Sequence, residues 1–118
     1  MPVSVGELDF ELLVSRALAE IPAQLAKAIE NVAVIVEPYP PDGRMNLLGL
    51  YEGVPLTARG GGSYAGYLPD RITIYREPIL EICETQEEVV AQVRVTVMHE
   101  VGHYFGLEHD ALDELGYT

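Results

Sequence analysis

Apolar positions along the chain change period several times, and the changes mark the elements. Phe10, Leu13, Val14, Ala17, Leu18 and Ile21 recur at the spacing of one helix face, and Ser4 with Glu7 three residues later has the form of a capping box. This predicts a helix over about residues 5–20. Pro22 suits the first turn of a shorter second helix reaching about Glu30, with Leu25 and Ile29 as its apolar positions. Val32–Glu37 is short and β-branched, which predicts a strand, and Pro38, Pro40, Pro41, Asp42 and Gly43 end it in a turn. Leu47–Tyr51 predicts a second strand with Gly49 as its weak point, and Arg71–Arg76 alternates as a third. Pro55–Gly66 has no period and is read as loop, with Gly60–Gly62 as a surface linker. Pro78 opens a short helical turn through Cys83.

The last helix has the clearest pattern. Thr85 and Glu88 form a second capping box, and Glu87 and Glu88 lie where the helix dipole favours carboxylates. Val89, Val93, Val97 and Val101 make an i, i+4 stripe that must face the core, widened by Val90 and Met98. So many β-branched residues lower helix propensity, so this helix depends on tertiary burial. Gly106 has the character of a left-handed residue that ends it. The expected fold class is α+β: N-terminal helices and a C-terminal helix packed on a short mixed sheet of three to four strands.

Composition narrows the function. A chain of 118 residues is read as a single domain over 1–118, and 48% hydrophobic with 22% charged residues is ordinary for a folded protein. Acidic residues outnumber basic ones 19 to 7, for a net charge of −12. That argues against nucleic acid and against an anionic membrane surface as partners. The one cysteine, Cys83, forms no internal disulfide and reads as a small buried residue. No targeting segment is visible, so a cytoplasmic protein of bacterial type is expected.

All 3 histidines fall within one segment of eleven residues, His99-Glu100-Val101-Gly102-His103-Tyr104-Phe105-Gly106-Leu107-Glu108-His109. On a helix His99 and His103 share a face, with Cβ atoms about 5–6 Å apart. Both imidazoles can then reach one Zn²⁺ at about 2.0–2.1 Å. Glu100 lies about 100° round the helix from His99, displaced from the ligand position but within reach of a water on the ion, where a general base belongs. Gly106 lets the chain turn sharply, and His109 three residues later returns as third ligand. A fourth position left to water marks a catalytic rather than a structural zinc, although three imidazoles also suit other first-row ions. Glu108, Asp110, Asp113 and Glu114 add negative potential and are candidate acceptors for a ligand's second ring N–H. The expected reaction is peptide hydrolysis, in which Glu100 takes a proton from water and passes it to the leaving amine. Tyr64, Tyr67, Tyr104 and Tyr117 are candidate oxyanion donors, against an ordinary packing role for each.

HExxH alone occurs by chance, but HExxHxxGxxH is specific. At these residues the sequence resembles the zincin metallopeptidases, and the Gly106 and His109 spacing is similar to the metzincin form. The stretches L-L-G-L-Y-E-G-V-P-L-T (47–57) and L-P-D-R-I-T-I-Y (68–75) resemble a family of very small bacterial minimal zincins, over most of the chain from about Val32. The resemblance implies a small zincin-like domain, a zinc-dependent peptidase with a short mixed sheet beside the active-site helix, and a peptide or protein substrate. By the same analogy an extended substrate would lie along an exposed strand edge in the segment Gly66–Arg76. Members of this family often use Asp as third ligand, so Asp110 stands as the alternative to His109, which the spacing favours. No methionine follows His109, whereas metzincins carry a methionine turn there. The second functional class is a zinc-binding module that acts through protein partners without useful proteolysis.

Overall fold

The computed structural model describes residues 3–23, 32–53 and 70–105. Its elements are helix α1 (Glu7–Ala19), strands β1 (Val32–Glu37), β2 (Gly49–Glu52) and β3 (Asp70–Tyr75), and helices α2 (Arg76–Ile82) and α3 (Gln86–Tyr104). The sheet order is β1-β3-β2, with β1 parallel and β2 antiparallel to β3. The expected α+β class and mixed sheet are what the described residues form, with three strands among them. The proposed second helix lies outside the described residues except at its start. None of the described helices is long and apolar enough to cross a membrane.

Each element follows from its residues. In β3, Ile72 and Ile74 are fully buried, and in antiparallel register they face Tyr51 and Gly49 of β2. Alternation therefore assigns Asp70, Ile72, Ile74, Gly49 and Tyr51 to one face of the sheet. Helix α3 packs on β2 and β3, and α1 packs on α3. The valine stripe seals this layer: Val89, Val93 and Val97 are fully buried and Val101 nearly so, beside Phe10, Val14, Ala17 and Ile21 of the N-terminal helix region. Cys83 is buried as expected, and burial pushes its thiol pKa up. The predicted turn after β1 closes where the Gly43 N–H donates to the Pro40 carbonyl at 2.9 Å, with Gly43 in the left-handed region at φ 75°.

Helix ends test the capping expectations. At α3 the Thr85 hydroxyl accepts from the Glu88 N–H at 3.1 Å, as its sequence predicts. At α1 the expectation fails: the N-cap is Gly6, with no side-chain cap, and Glu7 is already helical. The reason is tertiary. The Val3 N–H donates to the Cys83 carbonyl at 3.3 Å, and Val3 and Val5 pack against the core, which holds this segment outside the helix. Val90 also departs from expectation. It is 49% exposed, because one residue beyond Val89 is about 100° round the helix and turns away from the stripe. Met98 is half-buried and packs against the core as expected.

Candidate metal centre

The last two turns of α3 carry the described part of the site. His99 and His103 project from the same helix face, with ring centroids 4.7 Å apart, and their Nε2 atoms are 3.0 Å from each other. Both rings are half-buried. Two nitrogens bound tetrahedrally at about 2.0–2.1 Å to one ion are about 3.3–3.4 Å apart. The two Nε2 atoms therefore already sit within a few tenths of an ångström of the separation a shared ion requires. Imidazole nitrogen is also the donor type that zinc selects. The residues fit the metal that the sequence pattern implies. His103 lies in the last helical turn, where exposed carbonyls favour a cation.

Glu100 is the next residue on the helix after His99. It is 7% exposed and lies where α3 crosses β2. A Cβ on Gly49 would fall 2.9 Å from Thr96 Cγ2, 3.2 Å from Glu100 Cγ and 3.3 Å from the Thr73 carbonyl oxygen. The residue that reads in sequence as a weak point in the strand is the clearance that lets helix and carboxylate approach the sheet. Glycine inside a strand often marks such an approach, and that signal was present in the sequence.

Beyond Gly49, β2 continues along the end of α3. The Tyr51 ring meets Tyr104 edge-on, with centroids 6.1 Å apart, and Tyr104 meets Phe105 at 5.4 Å. Tyr104, an oxyanion candidate by sequence, is 2% exposed, with its ring packed in this aromatic cluster. The Tyr51 hydroxyl donates to Asp70 Oδ2 at 2.5 Å, and Asp70 is 5% exposed. Sequence reasoning singled out neither Tyr51 nor Asp70, because their meeting depends on strand register.

Among the described residues, no group of three His, Cys, Asp or Glu side chains converges on a metal position. The predicted third ligand His109, its alternative Asp110, the turn residue Gly106, and Glu108, Asp113 and Glu114 lie outside the described residues. So do Tyr64, Tyr67, Tyr117 and Gly60–Gly62. One expectation is corrected. Residues 70–75 of the segment Gly66–Arg76 form no free edge, because β3 is paired on both sides. A cleft of about 370 Å³ elsewhere, lined partly by Tyr39, Met45, Arg76 and Glu77, includes none of the histidine-bearing turns.

A mixed sheet crossed by a helix with two convergent histidines is consistent with a zincin-like domain. The chain belongs to the zincin-like metallopeptidase family, whose model matches residues 29–117. Zinc dependence and metallopeptidase chemistry are what that family's description implies. Among solved structures, a conserved hypothetical protein from Thermo thermophilus is similar at 26% identity, covering 94% of this chain and 97% of that one, with a TM-score of 0.57. No curated protein matches the chain.

Proposed function

We propose that this protein hydrolyses peptide bonds at a zinc centre held by His99, His103 and His109, with Glu100 as general base. The observation that carries this reading is the pair of Nε2 atoms 3.0 Å apart on α3, one helical step from the buried carboxylate of Glu100. A zinc ion there would supply Lewis-acid chemistry and make water a stronger acid. The protein's own residues do the rest. His99 and His103 donate Nε2 lone pairs from a helix that the valine stripe anchors to the core. Glu100, held where the helix meets the strand, accepts a proton at its carboxylate from water as the water oxygen bonds to the peptide carbonyl carbon, and delivers it to the amine nitrogen as the C–N bond breaks. Gly49 keeps β2 close to that carboxylate.

The substrate edge in this reading is β2. Among the described strands β1 and β2 each have a neighbour on one side alone, and of the two β2 is the one that lies against the helix at Glu100. An extended peptide added there would run beside the base by β-addition.

Cleavage of a peptide library by the zinc-loaded wild type and by Glu100→Gln tests the mechanism. Turnover in the wild type, lost in the variant at unchanged zinc content, is the expected result. Equal turnover in both contradicts the role of Glu100. Bound zinc without turnover in the wild type assigns the chain to the non-catalytic module class.

A further inference from the structure

We propose that Tyr51 and Asp70 form a positioning pair for the metal centre, acting on His103 through the ring of Tyr104. The inference rests on the zinc-binding reading above and adds two residues to it.

Three observations converge on the pair. First, Asp70 carries a carboxylate at 5% exposure, and the Tyr51 hydroxyl donates to its Oδ2 at 2.5 Å. A short hydrogen bond to a carboxyl oxygen in a water-poor setting is among the stronger contacts a protein makes, and it fixes the direction of the phenol. Second, the backbone is shaped around this carboxylate. Gly53 has φ 151°, and a Cβ there would overlap Asp70 Cγ and Oδ1. Any side chain at position 53 would push the carboxylate out of place. Third, the Tyr51 ring is the surface against which Tyr104 rests edge-on, and Tyr104 is 2% exposed and follows His103 directly in the last turn of α3.

The mechanical consequence is direct. Helix ends fray unless their last turn is tied down, and the Nε2 of His103 must point within a narrow cone to share an ion with His99. Tyr104 is the tie, Tyr51 is the wall it meets, and Asp70 orients the wall. Removing the Tyr51 hydroxyl leaves the ring volume but frees its orientation. Groups hydrogen-bonded directly to a metal ligand change metal affinity by about 10–100-fold when lost, and a pair acting one side chain further out belongs at the low end of that range.

The test uses the full chain with Zn²⁺ and Co²⁺ as probes, in wild type, Tyr51→Phe, Asp70→Asn and the double variant. Zinc affinity is read by competition with a chromophoric chelator, ligand geometry by the visible Co²⁺ spectrum, and folding of the metal-free forms by circular dichroism. The expected result is folded single variants with about tenfold weaker zinc binding and an altered Co²⁺ spectrum, and a double variant no weaker than either single one. Unchanged affinity and spectrum, with any loss confined to melting temperature, overturns the proposal. Additive losses in the double variant overturn it too, because two residues acting through one hydrogen bond cannot add. If Tyr51→Phe does not fold, Asp70→Asn carries the same test. A wild type that binds neither ion fails the zinc reading itself, which separates that failure from one seen in the variants alone.

Discussion

Gly49 and Glu100 face each other across the junction of β2 and α3 with no room for a methyl group, since a Cβ at position 49 would stand 3.2 Å from Glu100 Cγ and closer still to Thr96. Thr96 sits one helical turn before Glu100, so a larger residue on the strand lifts the helix where it presents its carboxylate. Gly49→Ala is expected to destabilise the fold by about 1–3 kcal/mol through overpacking. In the peptidase reading, turnover falls further than zinc binding, because the displaced group is the base and not a ligand. Chemical denaturation with parallel zinc titration and peptide cleavage checks all three. A variant with wild-type stability and turnover contradicts the clearance role of Gly49.

Capping gives a paired prediction. Thr85 accepts from the Glu88 N–H at the start of α3, whereas Ser4 makes no cap to α1. Thr85→Ala is expected to cost about 1 kcal/mol, while Ser4→Ala stays within about 0.5 kcal/mol of wild type. Urea midpoints of the two variants should differ accordingly.

The valine stripe predicts a contrast between neighbours. Val93 and Val97 are fully buried, and Val90 is 49% exposed. Truncating either buried valine to alanine removes apolar burial and leaves a cavity, for about 2–3 kcal/mol. Val90→Ser should change stability by no more than about 0.5 kcal/mol. Equal losses at positions 90 and 93 would show that α3 packs by a different face.

Burial raises the Cys83 thiol pKa in the folded state. The folded thiol therefore holds its proton at pH values where the unfolded chain releases it. The contribution to stability is complete below the unfolded pKa of about 8.5 and is lost as pH rises toward the raised folded value. The melting temperature of the wild type should fall over that window more steeply than that of Cys83→Ala. The folded thiol should also resist alkylation at neutral pH, with denaturant restoring reactivity.

Much of the architecture is legible where the signal is local. β1 coincides with its predicted span, and the Thr85 box and the four-valine stripe give α3 its start and its buried face. The paired histidines follow from helical spacing alone. What escaped the sequence depends on partners distant along the chain. Ser4 and Glu7 have the letters of a cap, but pairing of Val3 with Cys83 holds the segment outside the helix. Arg71–Arg76 reads as a strand and family analogy places an exposed edge in the segment that contains it, yet β1 and β2 both pair with β3. Tyr51 and Asp70 lie 19 positions apart and meet through the antiparallel register of β2 with β3. Gly49 was visible as an interruption, and its meaning required knowing which helix lies over it.

The central claim is that His99 and His103 are ligands of a zinc site whose chemistry runs through Glu100. The most direct measurement is the metal content of untagged protein purified without chelators, for wild type, Glu100→Gln and the double variant His99→Ala/His103→Ala. The account predicts about one zinc per chain in the wild type and in Glu100→Gln, and none in the double variant. Zinc retained after both histidines are removed, or a zinc-free wild type that stays metal-free on titration, would contradict it.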